Sequence, residues 1–242
     1  MNENCPNCNR ILSNSETFCS GCGQQNHLPR ISIRSVTLDI FHSFTETKGL
    51  PGLILHLIQN PGKVAREYVL GKQKRYFPPI SFLILVVGIS SFFLSQSQII
   101  SHKLSATQTR AGTLMNDHAN IIIFLNVPVL AFFNWLLFRK KGFNGGEHLI
   151  LVAFTSGMKS LFFSFLILPM VYVFPSLYFP LSSLYLFCWT IYFSWANTGF
   201  LGDTHIGVRL KGLIPPIAAQ VFTIVLIVGF VILFLKKKDL GL

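Results

Sequence analysis

Residues 60–86 read NPGKVAREYVLGKQKRYFPPISFLILV. The stretch passes from a polar helix to an apolar run within a dozen residues. Asn60 suits a helix N-cap, Pro61 the first helical position and Gly71 the end, so 61–70 is predicted as a short helix. Lys72, Lys74 and Arg75 follow as a basic collar, with Tyr76 and Phe77 expected as interfacial aromatics. A collar leading straight into an apolar run marks the cytoplasmic edge of a membrane span. Each such cation gains about 1 kcal/mol near anionic lipid. The collar reads as a topology anchor or as a lipid-recognition site. Upstream, Leu50, Leu53, Ile54, Leu57 and Ile58 recur at helical spacing and predict an amphipathic helix.

The composition agrees with a membrane protein. Of 242 residues, 51% are hydrophobic and 12% charged, about half the charge of a soluble domain. Mean hydropathy is +0.53. Five apolar stretches are predicted to span: 78–95, 119–138, 149–174, 177–201 and 213–235. The third and fourth are joined by the Pro-rich FPSLYFP turn, and Asp117 and His118 are expected to cap the second. The fold class is therefore an all-α integral membrane bundle of about five spans. A basic tail, 236–242, follows it.

The net charge of +11 is topological on this reading. With the N-terminus inside, residues 1–76 contribute nine Lys and Arg, the 139–148 loop three and the 202–212 loop two. Only five fall outside, three of them Lys236, Lys237 and Lys238. No apolar signal segment follows within the first 30 residues. The expectation is a cytoplasmic N-terminus, where thiols stay reduced.

Four of the five cysteines lie in the first 22 residues as two C-x-x-C pairs: Cys5 and Cys8, Cys19 and Cys22. Each pair turns two sulfurs toward one metal, and two pairs about ten residues apart complete a tetrahedral site. Residues 1–26 are thus predicted to be a zinc ribbon holding one structural zinc per chain. Pro6 and Gly21 suit the knuckles, and Asn9 tolerates a left-handed turn. Ile11, Leu12 and Phe18 are expected as its small core. Metal must supply much of the stability at this size. A disulfide pair and a redox dithiol are the alternatives. Arg10 is matched by Glu3 and Glu16, which weakens a nucleic-acid role. Cys188, inside an apolar stretch, is expected to be a small buried hydrophobe.

Polar residues near lipid are the other candidate sites. Lys159 lies within the third stretch and is either functional or snorkels, with Thr155, Ser156 and Gly157 as a potential break. Glu147, His148, Asp203 and His205 sit at the cytoplasmic ends of two neighbouring spans. They could bind a metal or relay protons, or else Glu147 completes a helix start and Asp203 a turn. Asn126, Asn134, Asn197 and Gln220 read as interhelical glue.

The stretches CPNC…FCSGCGQ, RISIRSVTLDIFHSF, NPGKVAREYVLGKQKRYFPPISFLILV, GGEHLILVAF and TGFLGDTHIGVRLKGL resemble, in that order, an uncharacterised family of bacterial multi-pass membrane proteins. That family is a domain of unknown function with an N-terminal zinc ribbon. The resemblance implies an inner-membrane protein with a cytosolic ribbon and supplies no activity. The expected function is a non-enzymatic adaptor or scaffold, with membrane lipids and a cytosolic protein as partners and homo-oligomerisation left open. The alternatives are a transporter or channel component using Lys159 and the histidine–carboxylate group, and a membrane enzyme acting on a lipid-linked substrate.

Overall fold

The computed structural model describes residues 4–12, 16–26, 30, 49–102 and 119–239. The Asp117–His118 cap, residues 31–44 of the RISIRSVTLDIFHSF stretch and the last three residues lie outside this set. So do the side chains of Lys236, Lys237 and Lys238.

The described residues form an N-terminal knuckle pair and a helical bundle. The helices are α1 (Leu50–Gln59), α2 (Pro61–Val69), α3 (Pro79–His102), α4 (Ala119–Phe138), α5 (Gly145–Phe162), α6 (Leu168–Val173), α7 (Tyr178–Leu201), α8 (Ile206–Gly212) and α9 (Ile214–Asp239). No strand is formed among them, only the isolated bridges Asn4–Ile11 and Phe18–Gln25 in the ribbon. Helix α5 is the centre. It packs against α3 on one side and α4 on the other, while α2 lies across α5 and α7, and α9 packs on α4.

Three segments are long and apolar enough to cross a membrane among the described residues: Gln73–Phe93, Gly145–Val173 and Ile206–Gly229. Five were expected. The second expected span, α4, is described in its side chains only from Phe124 onward. The fourth, α7, dilutes its apolar residues with three Tyr, two Trp and three Ser. The outer surface stays apolar around the bundle: Phe92, Phe132, Phe165, Leu166, Phe187 and Val225 are each more than half exposed. Aromatic surface on that scale fits a lipid environment rather than water. Cys188 belongs to this outer face and is exposed, not buried as expected.

Close backbone approach sets the α2–α7 crossing. A Cβ on Gly62 would stand 2.0 Å from the Ala196 carbonyl, and Gly199 faces Gly62 from the other side. Only glycine allows the helices this near. The Arg66 guanidinium then lies over Gly202, the left-handed residue that ends α7, where a cation complements the helix C-terminus.

Helix α1 is amphipathic, and most of its apolar face meets protein, with Ile58 left exposed. Leu53 and Leu57 are buried with Val64, Tyr68, Phe154 and Phe200. Tyr192 Oη donates to the Leu57 carbonyl at 2.9 Å. Tyr76 and Phe77 join the same core, so they are not interfacial aromatics.

The Thr155–Gly157 stretch does not break the third span. Helix α5 runs through it, Thr155 Oγ1 donates back to the Leu151 carbonyl at 2.9 Å, and Gly157 receives the Phe82 ring. The irregularity comes later, as a π-helical turn over Phe163–Ile167.

Candidate functional site

The first site is built by two matching knuckles. Cys5 N donates to Arg10 O at 2.8 Å and Asn9 N to Cys5 O at 2.9 Å. In the second knuckle Cys19 N donates to Gln24 O at 2.7 Å and Gly23 N to Cys19 O at 2.8 Å. The residue four places after each leading cysteine is left-handed: Asn9 at φ 63° and Gly23 at φ 70°. That turn exposes the sulfurs of each pair to the other pair.

The four sulfurs lie within 4.8 Å of one another. Cys5 Sγ is 3.6 Å from Cys22 Sγ, and Cys8 Sγ is 3.6 Å from Cys19 Sγ. Four thiolates at 2.3 Å from a tetrahedral zinc stand about 3.8 Å apart, so the cluster fits one ion with every ligand position filled. No disulfide joins the cysteines. The Asn7 side chain, by its hydrogen bond, is the main cause that brings the Cys22 thiol down to about 6. Among the described residues only Leu12 joins Cys5 and Cys19 in a buried core around the cluster. Ile11 and Phe18 were expected there, yet they are 65% and 59% exposed.

The ribbon is docked on the bundle. Gln24 is buried, and its side-chain oxygen accepts from the Lys74 backbone N–H at 3.1 Å. Arg30 forks onto Glu147, with Nε–Oε1 at 2.8 Å and Nη2–Oε2 at 3.2 Å, and also donates to the Gly142 carbonyl. The carboxylate beside it holds the Arg30 pKa above the usual guanidinium value. Between ribbon and bundle lies a cleft of about 640 Å³, bordered by Asn4, Pro6 and Asn26 on one side and Leu70, Gln73 and Phe143 on the other.

The collar is partly neutralised, by one carboxylate shared between two of its three cations. Lys72 and Arg75 reach Glu67 at 3.1 and 3.5 Å, and Tyr76 Oη donates to the same carboxylate at 2.6 Å. Burial works against the Glu67 charge, but the hydrogen bonds from Tyr76 and Lys72 outweigh it and hold the carboxyl below the usual glutamate value. Of the three collar cations, only Lys74 lacks an acidic partner among the described residues.

The histidine–carboxylate group is divided. Glu147 closes a capping box with Asn144 at the start of α5 and takes Arg30. Asp203 pairs with Lys141 at 2.7 Å, which holds its carboxyl below the usual aspartate value, and accepts from the His205 backbone N–H at 3.0 Å. His148 turns inward instead. The Asn134 side-chain amide donates to His148 Nδ1 at 2.8 Å and to Asn197 Oδ1 at 2.9 Å, and all three residues are fully buried. This arrangement makes His148 Nδ1 an acceptor, so its proton sits on Nε2, an atom with no partner among the described residues. Among the described residues, the four cysteines alone form a group able to hold a metal.

Lys159 lies within the apolar Gly145–Val173 segment with its ammonium 4.3 Å from the centre of the Trp189 ring, a cation–π contact. Tyr185 Oη donates to the Lys159 carbonyl. No acidic group pairs with Lys159 among the described residues.

Asn134 and Asn197 join helices as expected, and so does Asn126 through Thr223. Sequence reasoning missed the Gln24 and Arg30 contacts and the place of His148 in the Asn134 chain, which join residues 14 to 117 positions apart. Asn144 followed three residues later by Glu147 was the readable sign of the capping box.

A family model described as "Protein of unknown function (DUF3667)" matches residues 53–91. The matched stretch runs from α1 through α2 and the collar into α3, so it holds the glycine contact at Gly62 and the Glu67 cluster. No curated protein and no solved structure matches the chain.

Proposed function

We propose that this chain is a multi-pass protein of the bacterial cytoplasmic membrane, crossing five times with its N-terminus inside. Its cytosolic zinc ribbon is a structural, non-enzymatic adaptor surface for a protein partner. The observation that carries this is the ribbon itself: a four-sulfur cluster closed to substrate, with Ile11 and Phe18 turned outward. Large apolar side chains standing out from a rigid polar module are what a protein interface uses as anchors. The basic excess on the N-terminal side supports the orientation, and the apolar outer face of α4 and α7 supports five crossings. Lipid contact at the collar rests on Lys74 and on the positive charge that remains when Lys72 and Arg75 share Glu67.

A photo-cross-linking residue placed at Ile11 or Phe18, at native expression, tests the adaptor reading. The expected result is one discrete partner, lost in Cys5→Ser/Cys8→Ser. Zinc-loaded protein that cross-links to nothing at either position retires the reading. A reporter fused after Leu242 tests the topology, since five crossings put it outside.

A second reading, a transporter or channel component, rests on Lys159, a cation in the middle of the bundle with an aromatic ring as its companion. Lys159→Met is then expected to change flux while the protein still inserts. A membrane enzyme acting on a lipid-linked substrate draws no support from the divided positions of Glu147, His148, Asp203 and His205.

A further inference from the structure

We infer that the ribbon is a metal-dependent cover. While it holds its ion, it docks on the cytoplasmic end of the bundle, over the collar turn and the start of α5. When the ion is lost, it lets go of both. The inference rests on the zinc-ribbon reading above and adds a conformational consequence to it.

Among the described residues, contacts through Gln24 and Arg30 link the metal cluster to the bundle, and both follow the second knuckle in sequence. Gln24 is shared between the two. Its carbonyl closes the knuckle by accepting from the Cys19 amide at 2.7 Å, and its side chain accepts from the Lys74 amide at 3.1 Å. It is 2% exposed, so the docked geometry and the knuckle geometry are fixed by one buried residue. Arg30 follows six residues later and forks onto Glu147, whose side chain is 4% exposed. The first knuckle borders the same cleft through Asn4 and Pro6.

Among the described residues the ribbon has little apolar core to keep this shape. Its buried apolar core is Leu12 with two of the ligand cysteines. Modules of this size unfold when their metal is removed. Loss of the knuckle removes the fixed position of Gln24 and frees the Lys74 amide. The bundle keeps its own core, which contains no ribbon residue. What opens is the cleft, with the Glu147 carboxylate and the Gly142 carbonyl on its floor.

Hydrogen exchange on the full-length protein in nanodiscs tests this, comparing zinc-loaded protein with protein stripped by a strong chelator under reducing conditions. Zinc per chain is measured in parallel. The expected result is exchange faster by about tenfold or more at residues 73–76 and 142–147, with the α5 interior unchanged. Gln24→Ala separates docking from folding, because its backbone still closes the knuckle. It should retain one zinc yet show the faster exchange at 73–76. If stripping speeds the ribbon's own amides and leaves 73–76 and 142–147 as they were, the cover is wrong while the zinc ribbon stands. If the loaded protein carries no zinc, the ribbon reading itself fails.

Discussion

The ribbon and the bundle solve the same problem in opposite ways. The ribbon concentrates its stability in four sulfurs that sit within 4.8 Å of one another. The bundle spreads its stability over many modest contacts: glycines that let helices touch, aromatic rings, and buried amides. A concentrated design has few points of failure, and each is total. A distributed design degrades by degrees. In lipid the second is the available one, since apolar burial between helices gains little over contact with lipid tails and packing carries the load.

The largest expected effect strikes the concentrated region. Cys5→Ser/Cys8→Ser should abolish zinc binding, forfeiting apparent binding energy of about 10–16 kcal/mol, while far-ultraviolet circular dichroism still reports the bundle's helices. A collapse of the whole protein would erase the contrast between the two regions. Within the bundle, Gly62→Val should cost about 3 kcal/mol or more, because its side chain meets the Ala196 backbone. Gly52→Ala, with open space at its Cβ, is the matched control and should be neutral or slightly stabilising. Thermal stability in detergent reads both, and equal losses would mean that the α2–α7 contact is not what limits the bundle.

Asn134→Leu is next, at about 1–2 kcal/mol, since His148 Nδ1 and Asn197 Oδ1 lose their shared donor. The smallest effect concerns Glu67. Its carboxyl titrates below the ordinary glutamate value in the folded protein. Its contribution is therefore present at neutral pH and is lost as pH falls below about 4.5 toward the folded value. Glu67→Gln should flatten that acid limb of a melting-temperature profile measured between pH 7 and pH 3.5. An unchanged limb would assign the acid sensitivity to other carboxylates.

What was legible in the sequence follows the range of the interactions. The knuckles were readable because ligand spacing is local, down to the left-handed turn at Asn9. Helices α1 and α2, the start of α3 and the Gly71 turn were readable for the same reason. Tyr76 and Phe77 were misplaced, because collar aromatics look alike whether they meet headgroups or a protein core. The meeting of Gly62 with Gly199 was out of reach, being set by two helices more than a hundred residues apart. The histidine–carboxylate group was open to two readings, a metal or proton site or else a helix start and a turn. The structure agrees with the second: Glu147 closes a capping box, Asp203 accepts from the His205 amide, each acid has a cation, and His148 meets an amide.

Leu53, Leu57, Val64 and Tyr68, which precede the first apolar segment, share one core with Phe154 of α5 and Phe200 of α7. That has a practical corollary for anyone trimming this protein. A fragment that starts at residue 77, where the lipid-soluble part begins, would leave a trench across α5 and α7 and bare the backbone groove at Gly199. The natural cut lies ahead of residue 49. The smallest autonomous piece is larger than its greasy portion, and a deletion series should lose expression in one step between those two points.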